Sequence, residues 1–180
     1  MSKYGTDAYD PNAAYGTGPL SQPGSVRKLK SLLLVLLGLS LVSYAAITVW
    51  TLSDAYVDGL MAMYDEWGLP AEEAEEAAAG AGGAVGAAIS AVVMAGLYLL
   101  VYFGLRANGD WARILGIVFA ILGVLATLVT GLFSLMMIPY FDLDALLLVG
   151  VVLYAVHVVL SVYWLILAFK KETAHYLKNA

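Results

Sequence analysis

Of the 180 residues, 62% are hydrophobic and only 13% are charged, against roughly 25% charged in a soluble domain, so the composition is that of a membrane protein. Cysteine is absent, which excludes disulfides, thiolate metal sites and thiol nucleophiles. The net charge of −5 offers no basic footprint for nucleic acid, and in a membrane chain charges are counted by side rather than summed.

Residues 1–30 are expected to form a disordered cytoplasmic tail. Residues 1–26 are rich in Gly, Pro, Ser, Asn and Tyr, with Tyr4, Tyr9 and Tyr15 spaced among them, and too few aliphatic side chains are present to offset the entropy of ordering. Docking or phosphorylation is the functional alternative to a plain solvated leader. The tail ends in the basic anchor Arg27-Lys28-Leu29-Lys30.

Residues 31–52 are predicted as the first transmembrane helix. Ser31 to Trp50 holds no Asp, Glu, Lys or Arg and has the length of roughly 20 residues that crosses ~30 Å of hydrocarbon. A competing reading makes Leu32 to Val42 a signal-peptide core, with Ser43-Tyr44-Ala45 as a small-x-small cleavage pattern. The long acid-containing leader, with Asp7 and Asp10, and the continuing apolar run weigh against it.

An acidic extracytoplasmic loop is expected over 53–82. Ser53 suits the cap of a short helix in which Val57, Leu60, Met61, Tyr64 and Trp67 recur at helical spacing up to Gly68. Pro70 suits the first turn of a second helix, whose positive end Glu72, Glu73, Glu75 and Glu76 complement. These carboxylates read as a solvated face rather than a Ca²⁺ site, because they point in several directions and have no carbonyl-rich loop around them.

Three further spans are predicted over 83–105, 114–140 and 145–169, joined by a cytoplasmic loop at 106–113 and an outer turn at 141–144, with a cytoplasmic tail at 170–180. Asn108-Gly109-Asp110 reads as a turn, with Asp110 as a candidate cap for the third span. All of the basic residues (Lys3, Arg27, Lys28, Lys30, Arg106, Arg113, Lys170, Lys171 and Lys178) fall on one side, and the first and third loops hold acids without a base. Positive-inside bias then puts both termini in the cytoplasm.

Membrane helices associate through small residues and interhelical hydrogen bonds. Gly86 and Ser90 repeat at a spacing of four in the second span. In the third, Gly116, Ala120, Gly123, Thr127 and Thr130 alternate steps of four and three, as do Gly150, Tyr154, His157, Ser161 and Trp164 in the fourth. Ser40 and Tyr44 approximate the same stripe on the first. The fold expected is therefore all-α, a polytopic four-transmembrane-helix bundle with an extra helical segment in the outer loop and a weakly polar interior.

His157, near the middle of the fourth span, is the candidate site residue, since an ionisable group in the membrane is a functional hypothesis by default. A neutral imidazole there needs one donor and one acceptor, with Ser40, Ser43, Tyr44, Ser90 and Thr127 as candidates. A proton relay would need further ionisable stations, and a haem would need a second axial ligand. Structural hydrogen bonding is thus the leading reading, and no catalytic, cofactor-binding or metal-ligating residue is expected. His175 reads as solvated.

The leader motif Tyr15-Gly16-Thr17-Gly18-Pro19-Leu20, with Asn108-Gly109-Asp110-Trp111-Ala112-Arg113 opening the third span, resembles small four-span membrane proteins of high-GC Gram-positive bacteria, many without an assigned role. That resemblance implies a bacterial plasma membrane and carries no functional residue. The expectation is a non-enzymatic scaffold or accessory subunit whose partners are the lipid bilayer and other membrane subunits, for instance of a respiratory assembly. The alternative is a small transporter or channel with a polar interior around His157; a redox or lipid-modifying enzyme lacks a visible pair of ligands or an acid–base pair.

Overall fold

The computed structural model describes residues 22–81, 84–141 and 145–179. The leader up to residue 21, Gly82, Gly83, and Asp142 with Asp144 of the outer turn lie outside the described residues. Helices account for all regular structure among those described: α1 Gly24–Thr51, α2 Asp54–Glu66, α3 Ala71–Ala81, α4 Ala84–Arg106, α5 Asp110–Met137, a 3₁₀ turn Ile138–Tyr140, α6 Ala145–Phe169 and α7 Lys171–Asn179. Four of them, α1, α4, α5 and α6, are long and apolar enough to cross a membrane, and the protein is an all-α polytopic membrane bundle.

The local signals in the sequence act as capping chemistry dictates. Ser53 precedes α2, and its side chain accepts from the Tyr56 backbone N–H at 3.3 Å. Gly68 ends that segment in the left-handed region (φ +66), which lets the Leu69 N–H reach back to the Tyr64 carbonyl at 2.9 Å. Asn108 does the same after α4 (φ 57), with the Gly109 N–H donating to the Gly104 carbonyl at 2.9 Å. Here the structure departs from expectation, because the cap position of α5 is Gly109. Asp110 is the first residue of the helix, where it pairs with Arg113 Nε at 2.7 Å, and Arg113 also donates to the Ala168 carbonyl at 3.2 Å.

Two segments expected as tails are helical. α1 starts at Gly24 rather than residue 31. Arg27 and Lys28 are good helix formers that face outward, whereas Val26 and Leu29 are fully buried and extend the inward stripe of Leu33 and Leu36. The C-terminal segment forms α7, which lays Thr173, Tyr176 and Leu177 across the end of the bundle; Thr173 Oγ1 donates to Ser25 Oγ at 3.0 Å. His175 lies on its exposed face.

In the bundle α1 packs on α6 and α4, and α5 closes the ring by packing on both α4 and α6. The main apolar core sits at the end that carries the described termini and is built from Val26, Leu29, Leu105, Ala112, Trp164, Leu167 and Leu177 among others. The Trp164 Nε1–H satisfies itself on the Leu29 carbonyl at 3.1 Å. At the opposite end a second, smaller cluster holds α2: Leu60 and Met63 pack with Phe141, whose ring stacks on Tyr56 at 5.6 Å and meets Trp50 edge-on at 5.4 Å. Burial in this cluster, and secondarily Tyr64, pushes the Tyr56 phenol above its ordinary range.

Candidate functional site: a cavity inside the bundle

The inward stripes of the four spanning helices meet around open space. A cavity of about 580 Å³ lies between them, with walls from Ser40 and Tyr44 of α1, Ser90 and Tyr98 of α4, Gly116, Ala120, Gly123 and Thr127 of α5, and Tyr154, His157, Ser161 and Trp164 of α6. That volume falls within the ~300–1,000 Å³ range of small-molecule sites. Most of the lining is hydrocarbon. A second chamber of about 310 Å³, lined by Tyr44, Thr48, Thr51, Gly80, Gly86, Ser90 and Tyr154, continues toward the α3 end and shares three of those residues with the first.

The small residues explain both the closure of one end and the opening of the other. At Gly116 a Cβ would fall on the Trp164 ring and Val101, and at Gly104 on Ala112 and Trp111, so α4, α5 and α6 draw together toward the terminal end. Gly150 brings α6 against Ile47 of α1. Gly86 and Gly123, expected from sequence to pack between helices, have no neighbour within 4 Å of a Cβ position. Their stripes border the two chambers instead, Gly123 the first and Gly86 the second. Ile89, Val93 and Leu122 line the cavity and yet are 60%, 57% and 58% exposed. The wall between α4 and α5 is therefore open sideways, at a depth where the surroundings are hydrocarbon.

His157 sits midway along α6 on the cavity wall, and its two ring nitrogens meet two hydroxyls. Ser40 Oγ lies 3.3 Å from Nδ1, Tyr98 OH lies 3.4 Å from Nε2, and Ser40 Oγ donates to Tyr98 OH at 3.3 Å. With Ser40 donating to Tyr98, the circuit closes in one tautomer: Nδ1–H donates to Ser40, and Tyr98 donates to Nε2. Each proton is then used once. All three contacts lie at the long limit of hydrogen-bond geometry, so a closer partner can displace any of them.

The remaining expected positions divide. Ser161 is buried at 4% exposure and Ser40 at 8%. Thr127 lies on the cavity wall, its hydroxyl turned back to the Gly123 carbonyl at 2.8 Å, and Ser43 similarly bonds the Leu39 carbonyl at 2.8 Å. Tyr44, Ser90 and Tyr154 stand where the two chambers join and do not reach His157. Sequence reasoning missed Tyr98, because a tyrosine inside an apolar run resembles an interfacial anchor. Its signal is the spacing Ser90, Met94, Tyr98, Val101, which places it on the same face as Ser90.

No Asp, Glu, Lys or Arg lines the cavity among the described residues, and none of the described His, Asp and Glu side chains gather in threes as metal ligands do. The arrangement can hold hydrogen bonds and apolar surface. Comparison with known proteins found no matching family model, no matching curated protein and no matching solved structure.

Proposed function

We propose that this chain is a non-enzymatic accessory subunit of a bacterial plasma membrane, with both termini cytoplasmic, that holds a small molecule within its four-helix bundle. The observation that carries the reading is the cavity of about 580 Å³ walled by the inward stripes of all four spanning helices. A bundle serving only as an anchor or scaffold gains stability by closing such space, since lost packing costs free energy in proportion to the void. The orientation rests on the basic residues Lys30, Arg106, Arg113, Lys170 and Lys171, which cluster at the closed end, opposite the acidic α2 and α3.

A conducting pore fits less well. Trp164, Val101 and Gly116 close the cavity toward the terminal end, which suits a resident molecule better than a through-flow. Native mass spectrometry of protein released from membranes in mild detergent tests the reading. The expected result is a fraction of the chain carrying a bound small molecule that is lost in Gly123→Leu, where the new side chain occupies the cavity. Wild-type protein that flies bare under conditions retaining annular lipid would contradict it.

A further inference from the structure

We infer that the cavity takes an uncharged, lipid-soluble molecule with a single hydrogen-bonding head, of the class of an alcohol, ketone or ester, seated on Ser40, Tyr98 and His157. This rests on the reading of the bundle as a small-molecule holder and names what it holds.

Three features of the structure set the class. The lateral gap between α4 and α5 is bordered by the exposed side chains of Ile89, Val93 and Leu122, so an occupant that arrives there comes from lipid and must be soluble in it. An ionised occupant would be stripped of water without a counter-charge, because no Asp, Glu, Lys or Arg lines the cavity among the described residues, and an unpaired charge in such surroundings is strongly disfavoured.

The polar wall is also local. Thr127 and Ser43 are turned onto their own helices, Tyr44, Ser90 and Tyr154 stand apart at the junction with the second chamber and Ser161 is buried one turn further along α6, while Ser40, Tyr98 and His157 form a circuit of bonds at 3.3 to 3.4 Å. A hydroxyl or carbonyl entering at that level replaces a long bond with a shorter one, as donor or as acceptor, because the imidazole and both hydroxyls can reverse their roles. Below it, Val101 and Trp164 give the apolar end of the molecule a hydrocarbon floor.

Trp164, buried at 1% exposure beside the cavity, serves as the reporter. The full chain with Trp50→Phe, Trp67→Phe and Trp111→Phe is placed in phosphatidylcholine nanodiscs. It is titrated with 12-bromododecanol, and in parallel with the carboxylate and trimethylammonium analogues of the same chain length. The expected result is saturable quenching by the alcohol at a concentration about tenfold or more below that of either charged analogue, with Tyr98→Phe weakening the alcohol about tenfold. His157→Phe is a second variant with the same expectation, and Tyr98→Phe, which keeps the ring and its packing, covers the case in which it fails to assemble. Saturable quenching that is equal for all three probes, or unchanged in Tyr98→Phe, overturns the head-group assignment while the cavity reading stands. Absence of saturable quenching by any probe, in protein shown to be folded, overturns both.

Discussion

Gly116 and Gly123 are two turns apart on one stripe of α5 and look alike in sequence, yet a side chain has opposite consequences at the two positions. At Gly116 the Trp164 ring occupies the space a Cβ would need, whereas Gly123 faces the open cavity. Gly116→Leu is expected to lower the thermal midpoint in detergent by the equivalent of about 1–3 kcal/mol through overpacking. Gly123→Leu is expected to leave that midpoint within about 0.5 kcal/mol of wild type. Equal effects at the two sites would mean that both glycines sit in a closed helix contact. The inward direction of these stripes was legible, because a spacing of three and four residues fixes a face. Whether a stripe meets a neighbour or a void was not, because that depends on which side chains from other helices come opposite, here Trp164 and Val101 at Gly116 and none at Gly123. Tyr98 was hidden for a related reason, as its partners on α1 and α6 are more than fifty residues away.

At the scale of elements, turn chemistry was easier to read than helix starts. Ser53, Gly68 and Asn108 each carry a side chain or a backbone freedom that specifies a boundary locally. The start of α1 was obscured because Arg27, Lys28 and Lys30 interrupt the apolar run while remaining good helix formers; the burial of Val26 and Leu29 decides it, and that depends on α7 and the neighbouring helices. The helix α2 is held by a close contact of the same kind as Gly116. Gly59 lies directly on the Phe141 ring and the Tyr140 carbonyl, which lets Leu60 and Met63 reach their cluster. Gly59→Val is expected to lift α2 off the bundle. Amide hydrogen exchange over Asp54–Glu66 should then rise about tenfold or more with exchange in α1 and α6 unaltered. Protection retained across α2 would show that the aromatic cluster is not what secures it.

The whole molecule is asymmetric along its long axis. One end is sealed by the core around Trp164, by Arg113 bonding to the Ala168 carbonyl and by α7; toward the other, where α2 is held by the aromatic cluster, the bundle is hollow. The charges follow the same axis, with basic residues around the sealed end and acids on α2 and α3. On the proposed function, this polarity leaves one part of the bundle open to an occupant while the other end is packed shut. Because the chain contains no cysteine, single cysteines report on it without background. The most direct measurement is thiol labelling of single-cysteine variants in intact cells, with a small membrane-impermeant reagent for Glu76→Cys and an uncharged, lipid-soluble maleimide for Ser90→Cys, Gly123→Cys and Ala112→Cys. Labelling is expected for Glu76→Cys by the impermeant reagent and, more slowly, for Ser90→Cys and Gly123→Cys by the lipid-soluble one, and none for Ala112→Cys, where the native side chain is fully buried at the sealed end. Protection of the thiol in Glu76→Cys would reverse the orientation, and Ser90→Cys and Gly123→Cys variants as inert as Ala112→Cys would contradict a hollow bundle.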